Sequence, residues 1–282
     1  MSTMPKNQWT VDAIEERLKM YKKLAQEYDR FVNWQERLTF EIPFIQKQLE
    51  TLPPTSETSL EILEAACGTG MHAIALAKLG YQVSGADLIP EMITIARANA
   101  EAAGQKVKFI TAGFGKLSQD FGRAQFDGLL CLGNSLPHVL TKTDLEATLQ
   151  DFAACLKPGG LLLVQNRNFD SVMKNKNRWM EPQTFSDNEN EWLFHRFYDF
   201  EDNDLIRFNI LTLKRKKGSD WQVELTHTFL MPNLEEDLTR LMLIAGFESI
   251  TTFGSMDAKA FDPETSPNLI LVATKKNQIL PV

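Results

Sequence analysis

Residues 60–70, Leu60-Glu61-Ile62-Leu63-Glu64-Ala65-Ala66-Cys67-Gly68-Thr69-Gly70, run from a mostly apolar strand into a glycine turn. Residues 71–79 follow with apolar side chains at helical spacing. A strand, a tight glycine loop and a helix in that order set unpaired backbone N–H groups and a positive dipole end beside whatever the loop approaches. Asp87 stands seventeen residues after Gly70, at the end of the next strand. A carboxylate there can accept both hydroxyls of a ribose, the recurrent arrangement at the switch point of a doubly wound sheet.

Outward from this stretch the pattern alternates. Strands are predicted at 60–66, 82–86, 107–111, 126–132 and 161–165, with helices at 71–79, 91–103 and 144–156. The alternation argues for βαβ units and a parallel sheet covered on both faces. Ahead of it, 11–25 and 34–49 read as two helices, the second interrupted by Pro43, before Leu52-Pro53-Pro54-Thr55-Ser56 breaks the pattern. After Asn168 the rhythm changes: 191–200, 205–216 and 221–231 read as three strands joined by turns, an antiparallel meander inserted as a lid. A helix at 234–245 and strands at 249–253 and 268–274 complete the sheet. The expected organisation is a helical cap at 1–52, an α/β unit with a doubly wound, mostly parallel seven-stranded sheet at 57–170 and 232–276, and the lid at 171–231.

Composition narrows the function. A formal net charge of −7 over 282 residues opposes attraction to phosphate backbones or anionic lipid, so neither nucleic acid nor membrane is an expected partner. Cys67, Cys131 and Cys155 are odd in number and widely spaced, which suits neither a disulfide framework nor a metal site. With no apolar signal core and no apolar run long enough to span a bilayer, the expectation is a cytoplasmic protein without metal.

Two polar strand ends carry the chemistry. Cys131-Leu132-Gly133-Asn134-Ser135-Leu136-Pro137-His138 and Val164-Gln165-Asn166-Arg167-Asn168-Phe169-Asp170 both arrive at the carboxyl edge of the sheet, where ligands bind. The planar fork of Arg167 suits a carboxylate, while a structural ion pair with Asp170 or Glu181 is its other reading. His138 is either a proton acceptor or a histidine bonding backbone at a helix entry. Trp192, Phe194, Phe197, Tyr198 and Phe200 include both parities of their strand, so some face the core and Tyr198 is expected to roof the pocket.

The glycine loop admits more than one cofactor. Gly68-Thr69-Gly70-Met71-His72-Ala73 satisfies the loose dinucleotide pattern, which leaves an NAD-dependent dehydrogenase as an alternative; Glu64 and Cys67 before the first glycine stand against it. A non-catalytic cofactor-binding protein is also compatible with the fold. Leu63 to Gly70, with Ala86-Asp87-Leu88-Ile89-Pro90-Glu91-Met92 and Leu156-Lys157-Pro158-Gly159-Gly160, resembles the ordered motifs of the class I S-adenosylmethionine-dependent methyltransferases, a Rossmann-like fold. The resemblance implies S-adenosyl-L-methionine as cofactor and S-adenosylhomocysteine as product. Gly68 and Gly70 would lie along the methionine, Asp87 would hold the ribose, and Leu88 and Met92 would flank the adenine, with Ala66 and Leu132 among the cofactor contacts. That family often has an acidic or amide residue before an aromatic one after strand three. Here the residues are Gly113 and Phe114, so Phe114 is left to pack on the ring and the adenine amine falls to backbone or to an acid elsewhere.

Cys-Leu-Gly-Asn-Ser-x-x-His at 131–138 and Arg-Asn-Phe-Asp at 167–170 resemble the glycine and sarcosine N-methyltransferases. This implies a small-molecule acceptor, with Asn134 beside the transferring methyl, Arg167 on the acceptor carboxylate and His138 in support. Tyr28 would close over the acceptor, Arg37 would meet the cofactor carboxylate, and an oligomer is possible.

Overall fold

The computed structural model describes residues 6–53 and 59–277, with backbone alone for 6–13. The first five residues and the break at Pro54-Thr55-Ser56 lie outside the described residues. Three helices come first: α1 Lys6–Leu24, α2 Tyr28–Phe31 and α3 Trp34–Leu49. Pro43 does not interrupt α3, contrary to expectation. The proline forfeits the one hydrogen bond its N–H would make and crowds the preceding turn. Against that cost stand an N-cap, Asn33 Oδ1 accepting from Glu36 N at 3.3 Å, and burial of Phe44, Ile45 and Leu49 beyond the proline.

β1 Glu61–Ala65, α4 Met71–Lys78, β2 Gln82–Asp87, α5 Pro90–Ala102, β3 Lys108–Thr111, α6 Leu117–Phe121, β4 Phe126–Cys131, α7 Lys142–Cys155 and β5 Leu156–Arg167 then alternate as expected, apart from α6. That short helix is held from outside, by Asp151 accepting from the N–H groups of Leu117 (2.8 Å) and Ser118 (3.0 Å). β5 starts at Leu156 rather than 161, because Leu156 already pairs with Phe126 before the register shifts. α8 Phe169–Asn175, β6 Gln183–Ser186, β7 Asn190–Phe200, β8 Ile206–Lys216, β9 Gln222–Leu230, α9 Glu235–Ile244, β10 Phe247–Phe253 and β11 Asn268–Lys275 complete the order.

The main sheet runs β10-β11-β5-β4-β1-β2-β3. β11 lies antiparallel to β5 and β10, and the other neighbours are parallel. The chain therefore winds outward from β1 in both directions, and the switch point falls between β1 and β4, where a ligand crevice opens. One face of the sheet packs Leu129, Leu162 and Val164 against Phe152 and Leu241; the other packs Ile62, Leu130 and Leu163 against Ile45, Leu49 and Leu76.

The inserted sheet has four strands, β6-β7-β8-β9, not the expected three. Gln183–Ser186 is mostly exposed and lacks apolar alternation, so only its backbone pairing with β7 marks it as a strand. Parity sorts the aromatics of β7: Trp192, Phe194 and Tyr198 are buried on one face, while Phe197 meets the exposed Trp179 on the other. α1 and the residue after it bridge this sheet to the start of α5, Met20 and Leu24 packing on Ile210 and Ala25 on Ile89 and Met92. Among the described residues no helix is long and apolar enough to cross a membrane.

Gly85 sits in the middle of β2, where a Cβ would stand 2.7 Å from two ring carbons of Phe109 and 3.0 Å from Cys67 Sγ. Overpacking of this kind costs about 1–3 kcal/mol. We expect Gly85→Ala to lower the urea midpoint by a corresponding amount, and an unchanged midpoint would contradict the packing described.

Candidate active site

A cavity of about 460 Å³ opens at the carboxyl ends of β1 to β4, with Gly68, Asp87, Leu88, Phe114, Tyr28 and Arg17 in its walls. Ala66, Met92, Gly113 and His138 also line it. Asp87 is 9% exposed, and its two oxygens accept from Gly68 N and Ile89 N, each at 2.9 Å. Burial pushes its carboxyl up in pKa, while these two N–H groups and the Arg17 charge pull it back. Each oxygen keeps a lone pair for a hydroxyl donor. Gly70 faces elsewhere: at φ +79° it starts α4, and a Cβ there would collide with Phe109 at 2.6 Å. Leu132 is buried in the core and is not in the cavity wall. At Gly113 a Cβ would come within 3.0 Å of Leu88 Cδ1, so a side chain there would require the leucine to shift. Asp144 and Thr148 of α7 line the same cavity, two polar side chains that sequence spacing did not single out. A wider depression of about 630 Å³ lies among Gln82, Arg97 and Lys108, at the opposite end of the strands from the glycine loop.

The loop is fastened from below by a buried polar chain. Glu64 Oε2 accepts from Ala73 N at 2.9 Å, at the start of α4. Its other oxygen lies 3.4 Å from His72 Nδ1, whose Nε2 is 2.6 Å from Glu41 Oε2 on α3. Arg37 Nε donates to the same Glu41 oxygen at 3.0 Å. The far end of the Arg37 guanidinium stands 3.6 Å from the point where a Cβ on Gly133 would be. Arg37 thus reaches the mouth of the site from the side of β4.

From above, Asp29 joins the loop to α2. Its Oδ1 accepts from Thr69 Oγ1 at 2.6 Å and from Trp34 Nε1 at 2.8 Å. This brings the Tyr28 ring over Gly68, 3.7 Å from the glycine's Cβ position. Two further walls come from α1. Tyr21 OH is 2.9 Å from His138 Nε2, and Arg17 donates to the His138 carbonyl at 3.1 Å. Burial, then the Arg17 charge, drives the His138 pKa down to about 3. The imidazole is therefore neutral, with Nε2 engaged by the Tyr21 hydroxyl. So weak a base is poorly suited to accept a proton from an amine; nothing local in α1 marks Arg17 or Tyr21 as part of the site.

At the β4 and β5 ends, Gly133 N donates to Gln165 Oε1 (2.8 Å) and Asn134 N to Gln165 O (3.1 Å). Asn134 adopts φ +63°, and its Oδ1 accepts from Arg167 N at 2.9 Å. The Asn134 side chain is thus turned onto β5 rather than into the cavity wall. Arg167 is exposed and forms no ion pair among the described residues; Asp170 instead accepts from Glu235 N at 3.1 Å. Tyr198 is 2% exposed beneath the inserted sheet, packed between Phe169 and Phe208 at ring distances of 6.4 Å and 5.7 Å.

The Glu41–His72 contact makes stability depend on pH. Burial opposes a charged His72, but the hydrogen bonds to Glu41 and Glu64 outweigh it and raise the pKa above 6.5. The Glu41 carboxyl is also opposed by burial, yet His72 and Arg37 hold it below 4.5. The imidazolium contribution is complete below 6.5 and is lost as pH rises through the raised value; the Glu41 contribution is complete above 4.5 and is lost as pH falls through the lowered one. We expect the stability gap between wild type and His72→Gln to shrink as pH rises above 6.5, measured by thermal melts. A gap that stays constant to pH 9 would contradict the charged pair.

The comparisons with known proteins agree with this geometry. A methyltransferase domain family matches residues 62–160, which include the glycine loop, Asp87 and the β4 end. Glycine/sarcosine N-methyltransferase from Aphanothece halophytica is 26% identical over 90% of this chain and 88% of that protein. The enzyme of the same name from Halorhodospira halochloris is 28% identical over 88% and 85%. An S-adenosylmethionine-dependent methyltransferase structure from Clostridium acetobutylicum superposes with a TM-score of 0.71 at 19% identity, over 92% of this chain and all of that one. The glycine loop therefore lies in a methyltransferase domain, and the chain shares its fold with an S-adenosylmethionine-dependent methyltransferase structure.

Proposed function

We propose that the enzyme transfers a methyl group to the amine of a small carboxylate-bearing acceptor of the glycine or sarcosine type. The observation that carries this reading is Arg167, exposed at the end of β5 with no ion pair among the described residues, its backbone N–H bonded to Asn134 at the β4 end that borders the cavity through Gly133 and Ser135. The names of the Aphanothece and Halorhodospira relatives support it.

S-adenosyl-L-methionine supplies a methyl already activated by its sulfonium, so the protein's task is alignment and exclusion of water. Near-attack positioning of this kind can contribute up to about 7–11 kcal/mol. In our reading Asp87 accepts the ribose hydroxyls, the Ala66–Gly68 backbone borders the methionine, and Arg37, oriented by Glu41, takes the methionine carboxylate. Leu88, Met92 and Phe114 enclose the adenine. Phe114 is fixed edge-on by Phe152, with ring centroids 5.5 Å apart. Because Gly113 carries no side chain, the adenine amine is left to Asp144 and Thr148, polar groups in the cavity wall.

Arg167 grips the acceptor carboxylate with its fork. Asn134 is a positioning residue: by accepting from Arg167 N it sets the arginine's direction, and its Oδ1 keeps a lone pair for an amine hydrogen. The acceptor arrives as the free amine, because burial and the Arg17 charge leave the His138 imidazole too weak a base to deprotonate it. Tyr28 and Tyr21 close the site against water.

A panel of small amines with and without a carboxylate, assayed for methyl transfer, tests the reading; turnover confined to amines lacking a carboxylate would overturn it. We further expect Arg167→Lys to raise the acceptor KM about tenfold or more, the loss of one charged hydrogen bond of a bidentate pair. The S-adenosylhomocysteine Kd, measured by calorimetry, should move less than about threefold. Equal losses for both ligands would assign Arg167 to the donor instead.

A further inference from the structure

Some cations beneath the inserted sheet are neutralised, whereas Arg17, Arg167 and Arg196 form no ion pair among the described residues. Arg30 and Lys214 both pair with Glu27, and Arg37 pairs with Glu41. Arg196 lies on the same strand face as Trp192, Phe194 and Tyr198, the buried face of β7. Its guanidinium carbon stands 5.0 Å from the centre of the Phe31 ring, and its Nε is buried without a hydrogen-bond partner among the described residues. No carboxylate lies within ion-pair reach among them.

Two chains of contacts lead from Arg196 to the acceptor site. Phe31 is tilted against Tyr28, with ring centroids 6.1 Å apart, and Tyr28 covers the glycine loop. On the other side Tyr198, two residues along β7, packs on Phe169, two residues beyond Arg167. Burial and then the charge of Arg167 depress the Arg196 pKa. Arg196 is thus partly buried while Arg167 is exposed, and a desolvated guanidinium without an acidic partner is unfavourable unless a ligand brings negative charge. One carboxylate on Arg167 would leave the second charge uncompensated.

Resting on the carboxylate-amine reading above, we propose that Arg196 is a second anion-binding residue, and that the acceptor carries two anionic groups, one held by Arg167 and the other by Arg196. The substrate class is then an amine with two acidic groups, such as an amino dicarboxylate, rather than glycine itself. Arg196 acts as a specificity residue, since it rewards the second charge and not the amine.

The test is calorimetric titration of the S-adenosylhomocysteine-saturated enzyme with acetate and with malonate. We expect malonate to bind at least about tenfold more tightly, Arg196→Gln to bring the malonate-to-acetate ratio to within about threefold of unity, and Arg196→Lys to keep part of the preference. Equal binding of the two anions to wild type, or a preference that survives Arg196→Gln, would overturn the proposal. Should Arg196→Gln fail to fold, the wild-type ratio and Arg196→Lys still decide it. Binding of neither anion would instead overturn the carboxylate reading of the acceptor, and the second charge with it. In turnover, glycine and sarcosine are compared with aspartate and iminodiacetate. A lower KM for the dicarboxylates supports the inference, and turnover of the monocarboxylates alone refutes it while leaving the amine reading intact.

Discussion

A carboxylate in the middle of a buried parallel strand is the constraint on which the rest depends. Glu64 is 2% exposed, and an ionised group so placed costs several kcal/mol unless its oxygens are bonded. The Ala73 amide at the start of α4 serves one oxygen and His72 the other. His72 in turn requires Glu41, and Glu41 takes Arg37. One desolvation problem in β1 thus fixes the entry of α4, the seating of α3 and the position of a guanidinium beside Gly133. The N-terminal helices are consequently part of the site and not a loose cover.

Asp29 performs the corresponding task above the loop. By accepting from Thr69 and Trp34 it holds the four-residue α2, too short to persist alone, against the glycine turn. Tyr28 and Phe31 then occupy the border between two regions: Tyr28 covers Gly68, and Phe31 packs edge-on to Phe194 of the inserted sheet at 5.4 Å. The same short helix contributes Tyr28 to the donor cavity and, through Phe31 against the Arg196 guanidinium, to the inner face of the inserted sheet. α1 and the residue after it repeat the arrangement at the other end, with Met20 against Ile210 and Ala25 against Met92.

Much of the fold was legible from period alone. The alternating apolar strands and amphipathic helices from 60 to 166 appear in the structure with small shifts at their ends, as the sheet's buried strands and half-buried helices require. The elements that escaped are those whose stability is not local. α6 depends on Asp151 some thirty residues away, and the exposed Gln183–Ser186 depends on backbone pairing with β7. α8 is short and capped by Asn168, whose side chain also donates to the Ser266 carbonyl across the chain. Of the site, Gly68 and Asp87 could be found because a loop and the end of the following strand have fixed spacing along the chain. Arg17, Tyr21 and Arg196 could not, because each sits in a segment with an ordinary periodicity and gains its meaning from a distant partner.

By itself, then, the sequence determined the doubly wound sheet, the glycine loop with its acid, and the polar ends at Asn134 and Arg167. These follow from hydrophobic period and covalent adjacency, which act over a few residues. Only the tertiary structure decided which way those side chains turn: Asn134 onto the Arg167 backbone, His138 onto Tyr21, and Gly70 against Phe109. It also decided that Arg196 is partly buried on the inner face of β7, over Phe31, with no ion pair among the described residues. The reason is physical: desolvation and charge pairing act through space, and the neighbours that set them are assembled only when the inserted sheet and the N-terminal helices close over the strand ends.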